Sequence, residues 1–119
     1  RESPNESEAM AVVGDVSGKT AVILDDMVDT AGTMVHAATA LMAEGASAVH
    51  ACCSHAVLSG PAIDRIRGSA ISNLVATDTI PLNHNAASSG KIKILTISEL
   101  VGEAIIRSYK GDSVTSLFV

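Results

Sequence analysis

Apolar and polar positions alternate between two periods along this chain, and the alternation predicts a run of strands and helices. Residues 20–24 (TAVIL) are a continuous apolar, β-rich run, as expected of a strand covered on both faces. The loop MVDTAG follows. Residues 33–44 then place Met34, Ala38, Leu41 and Met42 at helical spacing, and Gly45 stands just past the end, where a helix cap is wanted. A second buried strand is expected over 48–54. A short helix is expected over 61–67, with Pro61 in its first turn, and a third strand over 74–77. Residues 83–90 read as a polar loop. Residues 91–97 alternate in character and predict a fourth strand nearer an edge. Ser98 suits the cap of a last helix, with Glu99 at its positive end, Lys110 near its negative end, and Val101, Ala104 and Ile105 as its apolar stripe. Residues 1–9 are polar and aperiodic, and residues 14–18 read as a turn. Strands alternating with helices predict an α/β fold with a mostly parallel sheet flanked by helices. Ligands of such sheets sit at the carboxyl ends of the strands, which directs attention to Asp25 and the residues after it.

Composition narrows the function classes. The chain has 119 residues, enough for one domain. Apolar residues make up 47%, so a packed core is available. Eight basic residues against thirteen acidic ones give a net charge of −5, a poor match to a phosphate backbone. The only aromatics are Tyr109 and Phe118, too few for a base-stacking platform, so no nucleic-acid partner is expected. No apolar run reaches the roughly 20 residues of a membrane span, so no membrane partner is expected either. Cys52 and Cys53 are adjacent and would point to opposite faces of a strand, which suits reduced thiols in a cytoplasmic chain better than a disulfide. They also lack a second ligand pair for zinc, although His55 is near in sequence.

The run Gly14-Asp15-Val16-Ser17-Gly18-Lys19-Thr20 has the look of a P-loop, but it has three residues between its glycines where that motif has four. A strand follows it where the motif opens a helix. A turn between two strands is the better reading. The stronger signal is VILDDMVDTAGT, residues 22–33. An apolar strand delivers Asp25 and Asp26 to its end, and a short loop with Asp29 enters a helix. Small side chains at Thr30, Ala31 and Gly32 let backbone N–H groups approach an anion, the helix dipole favours a phosphate there, and the hydroxyls of Thr30 and Thr33 add donors. Asp25 and Asp26 would repel a phosphate placed on them, but suit vicinal hydroxyls or a hydrated Mg²⁺ a few ångströms away. A phosphate at one end and a diol at the other describe ribose 5-phosphate. An ordinary βα turn with solvated acids is the plain alternative.

VILDDMVDTAGT resembles the ribose-phosphate-binding loop of type I phosphoribosyltransferase folds. The segments PNESEAMAVVGDVSGKTAVILDDMVDTAGT, HAVLSGPAIDRI, TDTIPL and GDSVTSLF together resemble, in order, the C-terminal half of the ribose-phosphate pyrophosphokinase family. The likeness implies a phosphoribosyltransferase-like domain over 1–119, incomplete at its N-terminal end and lacking its first strand. It implies an enzyme, a ribose-phosphate diphosphokinase, that transfers the β,γ-diphosphate of ATP to the anomeric hydroxyl of ribose 5-phosphate. Mg²⁺ is required, and phosphoribosyl pyrophosphate and AMP are the products. Carried over residue by residue, Asp25 is implied on the ribose-hydroxyl and metal side. Asp26 supports the hydroxyl end, and Asp29, Thr30, Ala31, Gly32 and Thr33 form the 5-phosphate cradle. Arg1 falls in the family's mobile catalytic loop, here residues 1–9, where a guanidinium suits the transferring phosphoryl group; a solvated terminal arginine is the alternative. Ser113, Val114, Thr115 and Phe118, in the tail 111–119, resemble a regulatory phosphate/ADP loop; simple packing of Leu117 and Phe118 on the core is the alternative. The family implies a homo-oligomer of dimers built into hexamers, with ATP bound through an N-terminal half not in this sequence. The isolated chain is therefore expected to lack appreciable synthetase activity. Two other functions share the loop. A salvage phosphoribosyltransferase would want a hydrophobic or aromatic hood over a base, for which aromatics are too few. A non-catalytic synthetase-associated regulatory subunit would be expected to carry a degraded loop, whereas Asp25, Asp29, Gly32 and Thr33 are all present.

Overall fold

The structure, a computed structural model, describes residues 11–118. Its order is β1 (Thr20–Val28), α1 (Gly32–Ala43), β2 (Ala48–Ala56), α2 (Ala62–Arg67), β3 (Ile71–Thr77), α3 (His84–Ala87), β4 (Ile92–Leu95) and α4 (Ser98–Lys110), closed by a 3₁₀ turn at Thr115–Phe118. The four strands form one parallel sheet in the order β1-β2-β3-β4. The α/β expectation holds. Each crossover steps to the next strand in the same direction, and such connections are right-handed. The helices that make them therefore lie on one face of the sheet.

That face is the core. Val49, Ala51 and Cys53 of β2 lie in register with Ile71, Leu74 and Ala76 of β3, and all six are buried. Met34 and Ala38 of α1, Ile63 and Ile66 of α2, and Ala86 of α3 cover them. The many alanines keep the helices close to the sheet. Asn83 caps α3 by accepting from the Ala86 N–H at 2.8 Å, so a short helix stands inside the stretch expected to be a polar loop. The turn at 14–18 leads into a strand, as expected, and not into a helix.

Three further expectations change. β1 runs four residues past Leu24, because its ladder continues through Asp25↔Cys53, Met27↔His55 and Val28↔Ala56. β1 is also not covered on both faces: Val22 and Leu24 are 58% and 78% exposed on the face opposite the helices. At α4, Ile97 and not Ser98 holds the cap position. The start of that helix is fixed instead by the Asp78 carboxylate, which accepts from the Ile97 N–H at 3.0 Å, and by the Thr96 hydroxyl, which accepts from the Ser98 N–H at 3.1 Å. Hydrogen bonds from Thr96 and Ile97 hold the Asp78 carboxyl below the usual carboxylate range. The predicted stripe of α4 lies open, with Val101 and Ile105 both exposed and no residue of the helix buried. The radius of gyration, 17.0 Å, exceeds the roughly 13–14 Å of a compact chain this long.

Candidate functional site

The site forms where β1 ends and α1 begins. A cleft of about 230 Å³ is lined by Asp25, Met27 and Val28 of β1, by Asp29, Thr30 and Ala31 of the loop, and by the first residues of α1, Gly32, Thr33 and Met34. Its floor is firm. Val28 and Ala31 are buried, and Met34 anchors the helix in the core.

Backbone geometry sets its chemistry. Ala31 occupies the N-cap position of α1 in the left-handed conformation, φ 66° and ψ 8°. That conformation is uncommon for a residue with a side chain, and it tends to persist where surrounding structure over-determines it. No side chain caps α1. The first N–H groups of a 12-residue helix therefore face the cleft at the positive end of the dipole. A left-handed residue followed by helical ones also turns successive N–H groups into a concavity that suits an anion.

The loop is braced from the end of β2. Val28 O accepts from the Val57 and Leu58 N–H groups at 3.0 and 3.1 Å, and Asp29 O accepts from the Ser59 N–H at 2.9 Å. The Ser59 hydroxyl donates to the Asp29 carboxylate, fixing its rotamer. Arg65 of α2 donates to Thr30 O at 3.2 Å. Leu58, which makes the bend, is itself left-handed at φ 52° and buried. Neither Ser59 nor Arg65 was singled out from sequence as a site residue. Both belong to the segment HAVLSGPAIDRI, and that segment was the one available signal.

Asp25 and Asp26 do not face the same way. As neighbours on an extended strand they face opposite sides of the sheet. Asp25 lines the cleft beside Cys53, whereas Asp26 shares the open face with Val22 and Leu24. Asp26 meets the site through its backbone: its N–H donates to Asp25 Oδ1 at 2.8 Å and orients that carboxylate. Burial, followed by the negative charge of Asp25 and of Cys52, pushes the Cys53 thiol from 9.0 up to about 11. Among the described residues no cluster of three or more His, Cys, Asp or Glu side chains could hold a metal ion. Cys52 and Cys53 are both free thiols.

The tail is organised by Arg107. This residue pairs with Glu103 at 3.0 Å, donates to Ser113 O at 3.3 Å and to Ser116 Oγ at 2.6 Å. Phe118 is 67% exposed, so it does not pack on this core. Thr115 and Phe118 stand on the 3₁₀ turn after α4, and Ser113 and Val114 lie just before it, all away from the cleft residues in sequence and element. Arg1 and the loop 1–9 lie outside the described residues.

A family model described as the phosphoribosyl synthetase-associated domain matches residues 1–119. The chain belongs to this family. Within the phosphoribosyl synthetase-associated domain family, its similarity extends to named relatives. It is 52% identical over 118 residues to a ribose-phosphate pyrophosphokinase of Bordetella pertussis, a match that covers 99% of this chain and 38% of the relative. It is 52% identical over 118 residues to a ribose-phosphate pyrophosphokinase of Oceanobacillus iheyensis, covering 99% of this chain and 37% of the relative. The crystal structure of phosphoribosylpyrophosphate synthetase from Mycobacterium smegmatis is similar with a TM-score of 0.83 and 32% identity, over 89% of this chain and 35% of that one. The chain thus spans somewhat over a third of the length of the curated relatives it matches.

Proposed function

We propose that this chain supplies the ribose 5-phosphate half-site of a ribose-phosphate diphosphokinase. The observation that carries the reading is the uncapped N-terminus of α1 behind the left-handed Ala31, opening into a cleft with a carboxylate at its other end. The 5-phosphate would sit on the N–H groups of 30–33, with the hydroxyls of Thr30 and Thr33 as added donors. The ribose would extend toward Asp25, whose carboxylate accepts from its hydroxyls. Asp29, held by Ser59, sits between the two ends and orders the loop. Asp26 supports the arrangement through its amide.

In the intact enzyme the anomeric hydroxyl oxygen attacks the β-phosphorus of ATP. The bond from that phosphorus to the oxygen bridging to the α-phosphorus breaks, and AMP leaves. Such a transition state is loose and charge-rich, so positioning and cations do most of the work. Mg²⁺ would supply charge neutralisation across the transferring group. Asp25 lines the cleft as a lone carboxylate at its ribose end, so a cation there would keep most of its water and substrate ligands and would be held by the protein through Asp25. ATP would bind through polypeptide beyond this chain, and Arg1 would reach the phosphoryl group from the loop 1–9.

The uncovered sheet face and the bare stripe of α4 support a role within a larger homo-oligomeric assembly. The tail residues Ser113, Val114, Thr115 and Phe118 would serve a regulatory anion site there. Two free cysteines, and no helix among the described residues long and apolar enough to cross a membrane, suit a cytoplasmic location. Backbone amide spectra of the chain, titrated with ribose 5-phosphate and Mg²⁺, test the core of the proposal. Shifts centred on Asp25–Thr33 are expected. A folded chain whose amides ignore the ligand would refute it.

A further inference from the structure

The segments SHAVLSGP and TDTIPL meet at the carboxyl ends of β2 and β3. His55 is half-buried near the end of β2, in register with Met27 of the cleft and on the same sheet face as Asp25. His55 Nδ1 lies 2.8 Å from Thr79 Oγ1. The Thr79 hydroxyl has one proton, and Ser54 O stands 3.1 Å away as its acceptor. The Thr77 hydroxyl donates to the second lone pair of the same carbonyl at 2.6 Å. With its proton committed to Ser54 O, Thr79 Oγ1 accepts from His55. The chain of donors therefore runs from His55 Nδ1–H to Thr79 to Ser54 O. Each bond polarises the next in the same direction, which favours this tautomer over the reverse. Nδ1 then carries the imidazole proton, and Nε2 is left as a bare acceptor with no partner among the described residues.

We propose that His55, held in this tautomer by Thr79, is a substrate-positioning residue whose unprotonated Nε2 accepts a hydrogen bond from a sugar hydroxyl at the ribose end of the cleft. Asp25 and His55 then receive the diol from neighbouring strands, a carboxylate on one side and a neutral acceptor on the other. The inference rests on the ribose 5-phosphate reading of the same site. It also accounts for the run TDT, in which Thr79 fixes the histidine, Thr77 bonds the same Ser54 carbonyl as Thr79, and Asp78 between them fixes the start of α4.

The test is long-range ¹H–¹⁵N correlation spectroscopy of the histidine-labelled chain, with and without ribose 5-phosphate. In the free chain His55 should show a pyrrole-type Nδ1 and a pyridine-type Nε2. Saturating ribose 5-phosphate should move Nε2 upfield as it accepts a hydrogen bond, while the exposed His36 and His84 stay put. Thr79→Val removes the acceptor for Nδ1–H. It should shift the tautomer toward Nε2–H and weaken ribose 5-phosphate binding about threefold to tenfold, the size of one neutral hydrogen bond. His55→Ala should weaken it to a similar degree, with the remaining amide spectrum unchanged. A pyrrole-type Nε2 in the free chain overturns the proposal. So does an Nε2 that does not move while the amides of 29–33 do. If neither responds, the ribose-phosphate reading falls with it.

Discussion

Gly32→Ala separates the cradle from the fold. Gly32 is the first residue of α1 with ordinary backbone torsions, so a side chain there strains nothing. Beyond its own helix backbone and its chain neighbours, a methyl built on it would meet only Arg65 Nη1, at 3.2 Å, within a 4 Å radius. Arg65 is an exposed, flexible side chain and can yield by a few tenths of an ångström. Disturbing its bond to Thr30 O costs at most about 0.5–1.5 kcal/mol. Removing glycine from the unfolded chain returns about 0.4–1 kcal/mol. Stability should therefore stay within about 1 kcal/mol of the parent. Binding should not. On the proposed reading the methyl would stand where the phosphate approaches the helix N–H groups, and losing one charge-assisted hydrogen bond costs about 1.5–3 kcal/mol. At about 1.4 kcal/mol per decade, affinity for ribose 5-phosphate should drop about tenfold to a hundredfold or somewhat more. Gly32→Val, with its branch at Cβ, should leave no measurable affinity. Calorimetric titration gives the affinity, and thermal melting of the same samples gives the stability. An affinity within threefold of the parent, in an alanine variant that melts normally, would place the phosphate elsewhere.

Other substitutions test the supporting parts. Ser59→Ala removes the donor to the Asp29 carboxylate and should weaken ribose 5-phosphate binding about tenfold, the size of a bond to a charged group; unchanged affinity in a titration would show that Asp29 needs no brace. Asp25→Asn should weaken binding less than Gly32→Val and flatten its dependence on Mg²⁺; a metal dependence equal to the parent's would take Asp25 off the metal side. Ala31→Val puts a β-branched side chain at φ 66° in a buried position and should destabilise by about 2–4 kcal/mol in urea unfolding, whereas a loss under about 0.5 kcal/mol would mean the left-handed conformation is not held. Cys53 titrates near 9.0 when unfolded and at about 11 when folded, so its burial leaves stability unaffected below pH 9 and lowers it as pH rises toward about 11. Unfolding midpoints at pH 8 and pH 10.5, compared with a Cys53→Ala variant, should show a smaller alkaline loss in the variant; equal losses would refute the shift.

The residues that were easy to read in sequence are those whose neighbours in space are also neighbours in the chain. The helix over 33–44 came out one residue from α1, because its spacing and its terminal Gly45 are local facts. The strand over 20–24 fell four residues short, because Asp25 and Asp26 look like a terminus, while the ladder to β2 that continues through them is set by residues about 28 positions away. The same misjudged end turned two carboxylates into an apparent pair, since a loop could aim both one way and a strand cannot. Ser59 and Arg65 were overlooked for a related reason. Their partners, Asp29 and Thr30, stand 30 and 35 residues off, and no periodicity records such a contact. The apolar stripe of α4 and the apolar face of β1 carry a different lesson. Val22, Leu24, Val101 and Ile105 have the pattern of core residues, yet all four are exposed. The chain spans somewhat over a third of its relatives' length, and hydrophobic periodicity marks apolar surfaces without saying what covers them. The proposed phosphate cradle escapes this difficulty. Its parts, from Val28 to Met34, are consecutive in sequence, and a single βα junction with its helix dipole is enough to build it.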